Sequence, residues 1–342
     1  IGYIFVVWPV YLWHTANYPI ERQIRDTQFI LGSFSPTFIP KFIGWLAGIP
    51  VLRALAQYGF GLAMVLQRAS GGNTTYFLGE VSAAGSQLYF PFVYLVKETI
   101  TLHIFTIIAL ILAFIAFFKK KIYQCKNLRQ FLTDHMAEFL MLCFIAMYWA
   151  SSIKSPLNIG VRHILPTFPF IFLLVASQIK QWLQTKNTHH NILKCFFIGL
   201  LLAWQAGSIA SVYPSFLAYF NESIGGPKNG YQYAVDSNLD WGQDLKRLAD
   251  WTEKNNVQKI YLDYFGGGSA EYYLGGKLLP WYGSRRPEDL NVNGGWLAVS
   301  ATLLQCGRGK PAPGFKDATD YYNWLNKFQP ITTIGYSIFV YY

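Results

Sequence analysis

The chain has 342 residues, of which 52% are apolar, 18% are aromatic and only 13% are charged, whereas about 25% of the residues of an ordinary soluble protein are charged. This composition excludes a fully soluble, a disordered or a collagen-like protein, and four scattered cysteines exclude a disulfide scaffold. The net charge of +10 lies entirely within residues 1–212, because residues 213–342 hold 12 basic and 12 acidic side chains. Because the excess of basic residues lies in the apolar part of the chain, it favours a role in membrane orientation rather than in nucleic-acid binding.

The first residues, 1–13, predict the tail of a transmembrane helix. Ile1 stands inside an apolar run without a methionine or a basic lead-in, which is not typical of a signal peptide. We therefore expect the chain to be N-terminally truncated, the C-terminal portion of a longer protein. The next apolar segment, 42–65, is ambiguous because it contains Arg53, Pro50 and four glycines.

Four further apolar segments predict membrane spans, since a span needs roughly 20 apolar residues. They cover residues 91–118, 136–153, 164–179 and 192–212.

The charges of the loops between these spans predict their orientation. Loops 119–135 and 180–194 hold eight Lys and Arg side chains, against two in loop 154–163. Because basic loops face the cytoplasm, the first two loops are predicted to be cytoplasmic, and residues 14–90 and 213–342 extracytoplasmic. With this orientation, the ambiguous apolar segment is interfacial or re-entrant rather than spanning.

The last 130 residues alternate between helix and strand patterns, which is typical of a small α/β domain. Helices are predicted over 241–255 and 318–327, and strands over 259–265, 296–300 and 331–341. The sequence therefore predicts a polytopic α-helical membrane domain over 1–212 and an extracytoplasmic α/β domain over 213–342.

The densest polar cluster is Asp236-Ser-Asn-Leu-Asp-Trp-Gly-Gln-Asp244. Its oxygen-bearing residues resemble the start of a calcium loop, but the glycine comes one position late and the twelfth position is Arg247. One interpretation is a strand end followed by a helix that Asp240 caps. The other is an extracytoplasmic binding role for the acidic side chains. The glycine run 266–268 predicts a tight turn rather than a nucleotide site.

Ionisable groups at the predicted outer ends of spans are functional candidates, because burying a charge in a membrane is costly. Lys97 and Glu98 lie near the outer end of span 91–118, and Arg162 and His163 lie at the start of span 164–179. For Lys97, the alternative is an ammonium that only reaches the lipid headgroups. Arg162 suits a phosphate at the interface, because its planar fork matches phosphate oxygens.

Several segments together match the pattern of a known family. They are the runs Tyr76-Phe-Leu-Gly-Glu-Val-Ser-Ala-Ala-Gly85 and Tyr89-Phe-Pro-Phe-Val-Tyr-Leu-Val-Lys97, Gly160-Val-Arg-His-Ile-Leu-Pro-Thr-Phe-Pro169, Tyr219-Phe-Asn-Glu222 with Gly225-Gly-Pro227, Asp236–Asp244, and Ile334-Gly-Tyr-Ser-Ile-Phe-Val-Tyr341. In these runs, which extend over nearly the whole chain, the sequence resembles polyprenyl-phosphate-dependent membrane glycosyltransferases of the GT-C type. These enzymes are related to glycosyltransferase family 39, the protein mannosyltransferase family.

The resemblance implies a GT-C-like fold and the transfer of a sugar from a polyprenyl-phosphate carrier to a glycan or protein acceptor on the extracytoplasmic side. It also implies that the catalytic Asp lies in a loop before residue 1. The candidate site residues are, for the carrier phosphate, Arg162, Lys97 and His163; for an outer cavity, Glu80, Ser82 and Glu98; and, for the extracytoplasmic motif, Glu222, Asp236, Asn238, Asp240 and Asp244.

The same resemblance implies a nearby divalent metal as cofactor, the lipid bilayer and the lipid-linked sugar as partners, and a place in a bacterial inner or plasma membrane. Nucleic acid is not an expected partner. Two alternatives stay open: a non-enzymatic transporter or scaffold, and an inactive homologue that binds carrier lipid without turnover.

Overall fold

The computed structural model describes residues 2–119, 133, 135–184, 188–290 and 295–342. The chain forms two compact units, one of residues up to Gly72 together with Ser155–Leu157, the other of Asn73–Lys154 and Asn158–Tyr342. The second unit continues through position 212, where the sequence predicts a domain border. Independent folding of residues 213–342 therefore stays a prediction.

The first unit is helical and has its own apolar core. After a π-helical turn, Tyr3–Val7, its helices are α1 Trp8–Thr15, α2 Ile20–Ile30, α3 Phe38–Ala47 and α4 Arg53–Gly71. Leu31, Ala47 and Ala56 are fully buried between α2, α3 and α4. The ambiguous segment 42–65 is therefore two helices, separated by a turn that contains Pro50. Neither meets the length and hydropathy of a membrane span.

The predicted span 91–118 is not one continuous helix, because the chain bends by 109° within it. Helix α5, Tyr89–Lys97, ends at Glu98, whose backbone is extended, and α6, Ile100–Lys119, begins after it. Asn221 stabilises this break: its backbone N–H donates to Val96 O at 2.8 Å, and its Nδ2 donates to Leu95 O at 2.6 Å and Glu98 O at 2.8 Å. In a continuous helix, these carbonyls would accept hydrogen bonds from N–H groups of the next turn. Here Asn221 donates to them instead.

Three helices are long and apolar enough to cross a membrane, within the ranges that the structure describes. They run over Met136–Lys154, Val161–Leu183 and Asn191–Ala210, and the bent pair α5–α6 is a fourth candidate if both helices form one span. We name the helices α7 (Met136–Lys154), α8 (Phe168–Leu183) and α9 (Thr188–Ala210); a 3-10 helix, Val161–Thr167, leads directly into α8. These three helices coincide with the predicted spans 136–153, 164–179 and 192–212 in length and composition. That they cross a membrane, and in which orientation, stays a prediction. Much of the predicted cytoplasmic loop 119–135, and part of 180–194, lies outside the described residues.

The C-terminal part of the second unit contains the predicted α/β architecture. Its helices are α10 Pro227–Gly230, α11 Leu245–Lys254, α12 Ala270–Leu274 and α13 Ala301–Cys306. The strands of the chain are β1 Thr75–Phe77, β2 Glu80–Ser82, β3 Ile260–Asp263, β4 Leu278–Pro280, β5 Trp296–Ser300, β6 Lys310–Pro311, β7 Thr332–Ile334 and β8 Ile338–Tyr341. Five strands form one sheet in the order β4-β3-β5-β8-β7, in which β3 is parallel to β4 and β5, and β8 is antiparallel to β5 and β7.

Three sequence predictions for this sheet region need correction. The helix predicted over 241–255 begins only at Leu245, and the helix predicted over 318–327 is a short 3-10 helix, Asn323–Lys327. The final strand 331–341 is a hairpin of β7 and β8, whose turn has positive φ at Gly335 (58°) and Tyr336 (70°). A side chain at the glycine would collide with the Asp244 carboxylate, so the turn and the acidic motif are built against each other.

A second, three-stranded sheet lies in the same unit, with the order β1-β2-β6. β1 and β2 form an antiparallel hairpin, and β6 adds in parallel with Glu80 opposite Lys310. The hairpin turn has φ of 50° at Leu78 and 92° at Gly79. The backbone N–H of Leu78 donates to Tyr233 O at 2.9 Å, which ties the turn to the rest of the unit.

Candidate functional site

Asn238 joins three segments that are far apart in the sequence. Its side chain is fully buried, accepts a hydrogen bond from Val161 N at 2.9 Å and donates one to the Tyr89 hydroxyl at 2.8 Å. Its backbone carbonyl accepts from Lys97 Nζ at 2.5 Å. The start of α5, the end of α5 and the start of the helix 161–183 therefore meet at one residue of the acidic motif.

Gly160 allows this approach. Its φ of 138° is a conformation that side-chain-bearing residues rarely adopt. A Cβ placed on Gly160 would lie 2.6 Å from Ser237 Oγ, closer than a real contact permits. The lack of a side chain at Gly160 therefore allows its backbone to pack directly against the Ser237 side chain of the acidic motif.

Arg162 is exposed and contacts the acidic motif. Its Cζ is 4.5 Å from the ring centroid of Trp241, whose side chain is 54% exposed. Within the described part of the chain, no hydrogen-bond acceptor and no carboxylate pairs with the Arg162 guanidinium. A guanidinium that contacts an aromatic ring and has no other protein partner keeps its N–H donors available for an anion.

Lys97 is differently placed, because its ammonium already has protein partners. Lys97 Nζ donates to Leu217 O at 2.8 Å as well as to Asn238 O, and lies 4.5 Å from the centroid of the Phe220 ring. These contacts tie the end of α5 to the acidic motif. Of the two cations predicted to bind the carrier phosphate, Arg162 has the freer charge, and Lys97 is mainly a tether.

Three other predicted site residues lie in three separate places. His163 follows Arg162 and packs near Phe90, at 6.4 Å between ring centroids. Glu222 Oε1 accepts a hydrogen bond from Trp204 Nε1 at 3.3 Å, which ties it to the end of α9. Glu98 lines an apolar cavity of about 340 Å³ between α6, α8 and α9.

Glu80 and Ser82 line a different cleft, of about 500 Å³, beside the three-stranded sheet. The prediction that Glu98 shares an outer cavity with them is therefore wrong. The reason is the sharp bend at the end of α5, which places Glu98 on the side of α6 rather than beside β2.

The acidic motif is a folded loop whose carboxylates are mostly turned inward. Asp236 has φ of 57° and accepts from Ser237 N at 2.6 Å, and Asp240 Oδ1 accepts from Gly242 N at 2.9 Å. Asp240 does not cap a helix, since α11 begins five residues later and Asp244 is the residue before it. Asp244 is fully buried and accepts from Arg247 Nη1 at 2.6 Å and from the Ser337 hydroxyl at 2.7 Å.

The electrostatics of Asp240 differ from those of an ordinary surface aspartate. Burial, together with the charges of Asp244 and Asp236, raises the pKa of Asp240 from 3.8 to about 7, and the Gly242 N–H offsets only part of this increase. The carboxyl group is therefore largely protonated in weakly acidic solution and half charged near neutral pH.

This shift predicts a pH-dependent stability that depends on Asp240. Because the folded-state pKa is raised, the stabilising protonated form is fully present below about pH 4, and the stability it contributes is lost as the pH rises through 7. The loss is on the order of a few kcal/mol, since one pKa unit is about 1.4 kcal/mol. Asp240→Asn should therefore match the wild type at about pH 4 but melt higher at pH 8, measured by thermal unfolding in one detergent. Parallel pH curves for the two proteins would contradict the assignment.

The divalent metal that the resemblance implies has no fitting site in the described ranges. No group of three or more His, Cys, Asp or Glu side chains there is placed to hold an ion. In the acidic motif, Asp244 is already paired with Arg247 and Ser337, and Asp240 is fully enclosed.

Two residues of the site have roles that the sequence analysis did not assign. Tyr89 fixes Asn238, and Trp241 supports Arg162. Both occur in the runs that carry the resemblance. For Trp241, a large aromatic residue within an otherwise polar, acidic run was the feature of the sequence that could have indicated a role.

Comparisons with known proteins give no relative of this chain. No protein-family model, curated protein or solved structure matches it. The geometry around Arg162 and Asn238, and the resemblance of the motif runs, therefore carry the functional interpretation.

Proposed function

We propose that the chain belongs to a membrane glycosyltransferase that moves a sugar from a polyprenyl-phosphate carrier to an acceptor on the extracytoplasmic side. The observation that carries the proposal is the exposed Arg162 guanidinium, 4.5 Å from the Trp241 ring centroid, at the start of a helix that is long and apolar enough to span a membrane. A cation fixed at this depth suits a ligand whose charge lies at the membrane boundary and whose tail lies in the bilayer.

The convergence of the motif runs supports the same proposal. The runs that resemble the glycosyltransferases at 76–97, 160–169 and 236–244 are separated by up to about 160 positions, yet Asn238 bonds to the other two directly. Residues that act on one substrate are expected to meet in this way, whereas unrelated matches would be scattered over the fold.

Arg162 would hold the carrier phosphate through its paired N–H groups and stabilise the negative charge that grows on the phosphate as the sugar leaves. Lys97 would add positive charge to the site while its hydrogen bonds to Leu217 O and Asn238 O keep the acidic motif in place. For the catalytic base, the resemblance points to a carboxylate in an earlier loop, and we assign no base among the described residues.

The proposal is tested by lipid binding to the full-length protein in nanodiscs. A short-chain polyprenyl monophosphate should bind at least tenfold more tightly than the polyprenol of the same length, because only the first carries the phosphate that Arg162 would contact. Equal affinities would remove the phosphate site. Carrier binding without transfer of a labelled sugar from the loaded carrier would instead favour the inactive lipid-binding homologue.

The proposed outer location of the α/β region makes a separate prediction. In a variant without native cysteines, a membrane-impermeant thiol reagent added from outside should label Asn255→Cys, which is exposed at the end of α11. Lys126→Cys, in the predicted cytoplasmic loop, should be labelled only after the membrane is permeabilised. The reverse pattern would invert the topology and remove the proposed site from the extracytoplasmic face.

A further inference from the structure

We propose that the cleft beside the three-stranded sheet is a saccharide-binding subsite that takes uncharged or amine-bearing sugars and discriminates against anionic ones. Naming its ligand as the acceptor of the transfer rests on the proposed function. The cleft, with a volume of about 500 Å³, is within the range of small-molecule sites, about 300–1,000 Å³.

The lining combines hydrogen-bonding and apolar groups. Its polar members are Thr75, Glu80, Ser82, Ser86 and Asn158. The Ser82 hydroxyl accepts from Ala84 N at 3.1 Å and keeps its own proton to donate. A sugar ring has a hydroxyl edge and an apolar C–H face, so such a mixed lining suits it better than it suits a lipid chain.

The apolar wall of the cleft includes a leucine whose backbone has a positive φ. Leu78, 46% exposed, stands at φ of 50°, where Asn or Gly is the favoured residue of a tight hairpin turn. Strained backbone that the surrounding structure maintains is a pointer to function. Here the strain places an apolar side chain in the cleft, whose lining also includes Leu88, which is 67% exposed.

The charge of the lining selects against anions. Among the described residues, Glu80 is the only charged member of the lining. Lys310 lies opposite Glu80 in the strand register, but it is not part of the lining, and no ion pair forms between them in the described structure. A phosphorylated or carboxylated ligand would face this carboxylate without a compensating cation in the cleft wall.

A peptide added as an extra strand is disfavoured at both edges of the small sheet. The β6 edge contains Pro311, which has no N–H to donate. The β1 edge already forms a bridge between Phe77 and Ala234. A compact ligand held by side chains is therefore favoured over an extended chain held by backbone hydrogen bonds.

The cleft lies next to the Arg162 site along the chain. Asn158 accepts a hydrogen bond from Ser86 N at 2.5 Å and from the Thr75 hydroxyl at 2.7 Å, which fixes it at the cleft. Arg162 follows four residues later, so the two Cα atoms are at most about 14 Å apart. An acceptor in the cleft and a phosphate at Arg162 would thus be neighbours across one sugar.

The test is direct saccharide binding to the full-length protein in nanodiscs, by saturation-transfer difference NMR titration without carrier lipid or turnover. Methyl glucoside and glucosamine should bind saturably, and glucose 6-phosphate at least tenfold more weakly. Glu80→Gln should reduce this difference to less than about threefold, whereas Glu288→Gln, at an exposed glutamate outside the cleft, should leave it unchanged. Absence of saturable methyl glucoside binding to the wild type would overturn the proposal.

Two cleft variants separate ligand contact from folding. Ser82→Phe, which fills the cleft, should abolish methyl glucoside binding, while Ser284→Phe at an exposed serine should not. Leu78→Asn suits the positive φ, so it should leave the Tm equal or higher and still weaken binding at least fivefold. Unchanged binding in both cleft variants would overturn the subsite. If the cleft variants behave as expected but polyprenyl monophosphate does not bind, only the glycosyltransferase proposal and the acceptor role fail.

Discussion

Arg162→Ala should weaken binding of a polyprenyl monophosphate by roughly tenfold or more. Hydrogen bonds to charged groups contribute about 1.5–3 kcal/mol, and each 1.4 kcal/mol is a factor of about ten in affinity. The loss should be confined to phosphate recognition, because Arg162 is exposed and has no hydrogen-bond acceptor among the described residues. Affinity for the matching polyprenol should therefore stay the same, measured by titration in the same nanodiscs.

Three further variants sharpen this test. Arg162→Lys should recover only part of the affinity, because an ammonium cannot form the bidentate fork. Trp241→Ala should cost about two- to fivefold, since an exposed cation–π contact contributes about 0.5–1 kcal/mol. Arg286→Ala removes an exposed arginine elsewhere in the unit and should have no effect. If Arg162→Ala also has no effect, Arg162 only anchors the helix end at the interface, and the main support for the proposed function is lost.

Asn238→Ala should destabilise the second unit strongly. It would leave the Val161 N–H and the Tyr89 hydroxyl, which is fully buried, without the partner that Asn238 provides. Each buried group left unpaired costs about 1–3 kcal/mol, so the free energy of unfolding should fall by roughly 2–6 kcal/mol. The expected result is a clearly lower Tm in detergent, together with weaker carrier binding, because the loop that carries Trp241 loses its side-chain attachments to Val161 and Tyr89.

Asn255→Ala is the matched control for this prediction. Asn255 is exposed and its Nδ2 donates only to Trp251 O, at 2.8 Å. Water can replace such a bond, so the change in Tm should be small. Equal shifts for both asparagine variants would mean that Asn238 does not hold the three motif runs together.

The helices and strands that depend on the residues of a single segment are the ones that the sequence predicts well. The spans 136–153, 164–179 and 192–212 are continuous apolar runs, and their helices have nearly these bounds. Strand 296–300 is found with the same bounds, because its residues are apolar on both faces and it lies centrally in a sheet that buries both.

The break at Glu98 could not be predicted from the same kind of pattern. The run 91–118 is apolar enough for one span, and the bend depends on Asn221, more than 120 positions later, which pairs the carbonyls at the end of α5. The separation of Glu98 from Glu80 and Ser82 follows from this bend. A hydropathy window contains no term for a hydrogen bond made by a distant residue.

The candidate site divides in the same way. Sequence alone identified Arg162 and Lys97 as cations at the ends of apolar segments and Asp236–Asp244 as a dense polar run, since charge next to an apolar helix is visible in the order of residues. Only the tertiary structure decided that Lys97 is hydrogen-bonded to two backbone carbonyls while Arg162 remains open on Trp241. The physical reason is that a residue's type specifies which bonds it can form, whereas its available partners depend on which distant segments the fold brings within about 3 Å of it.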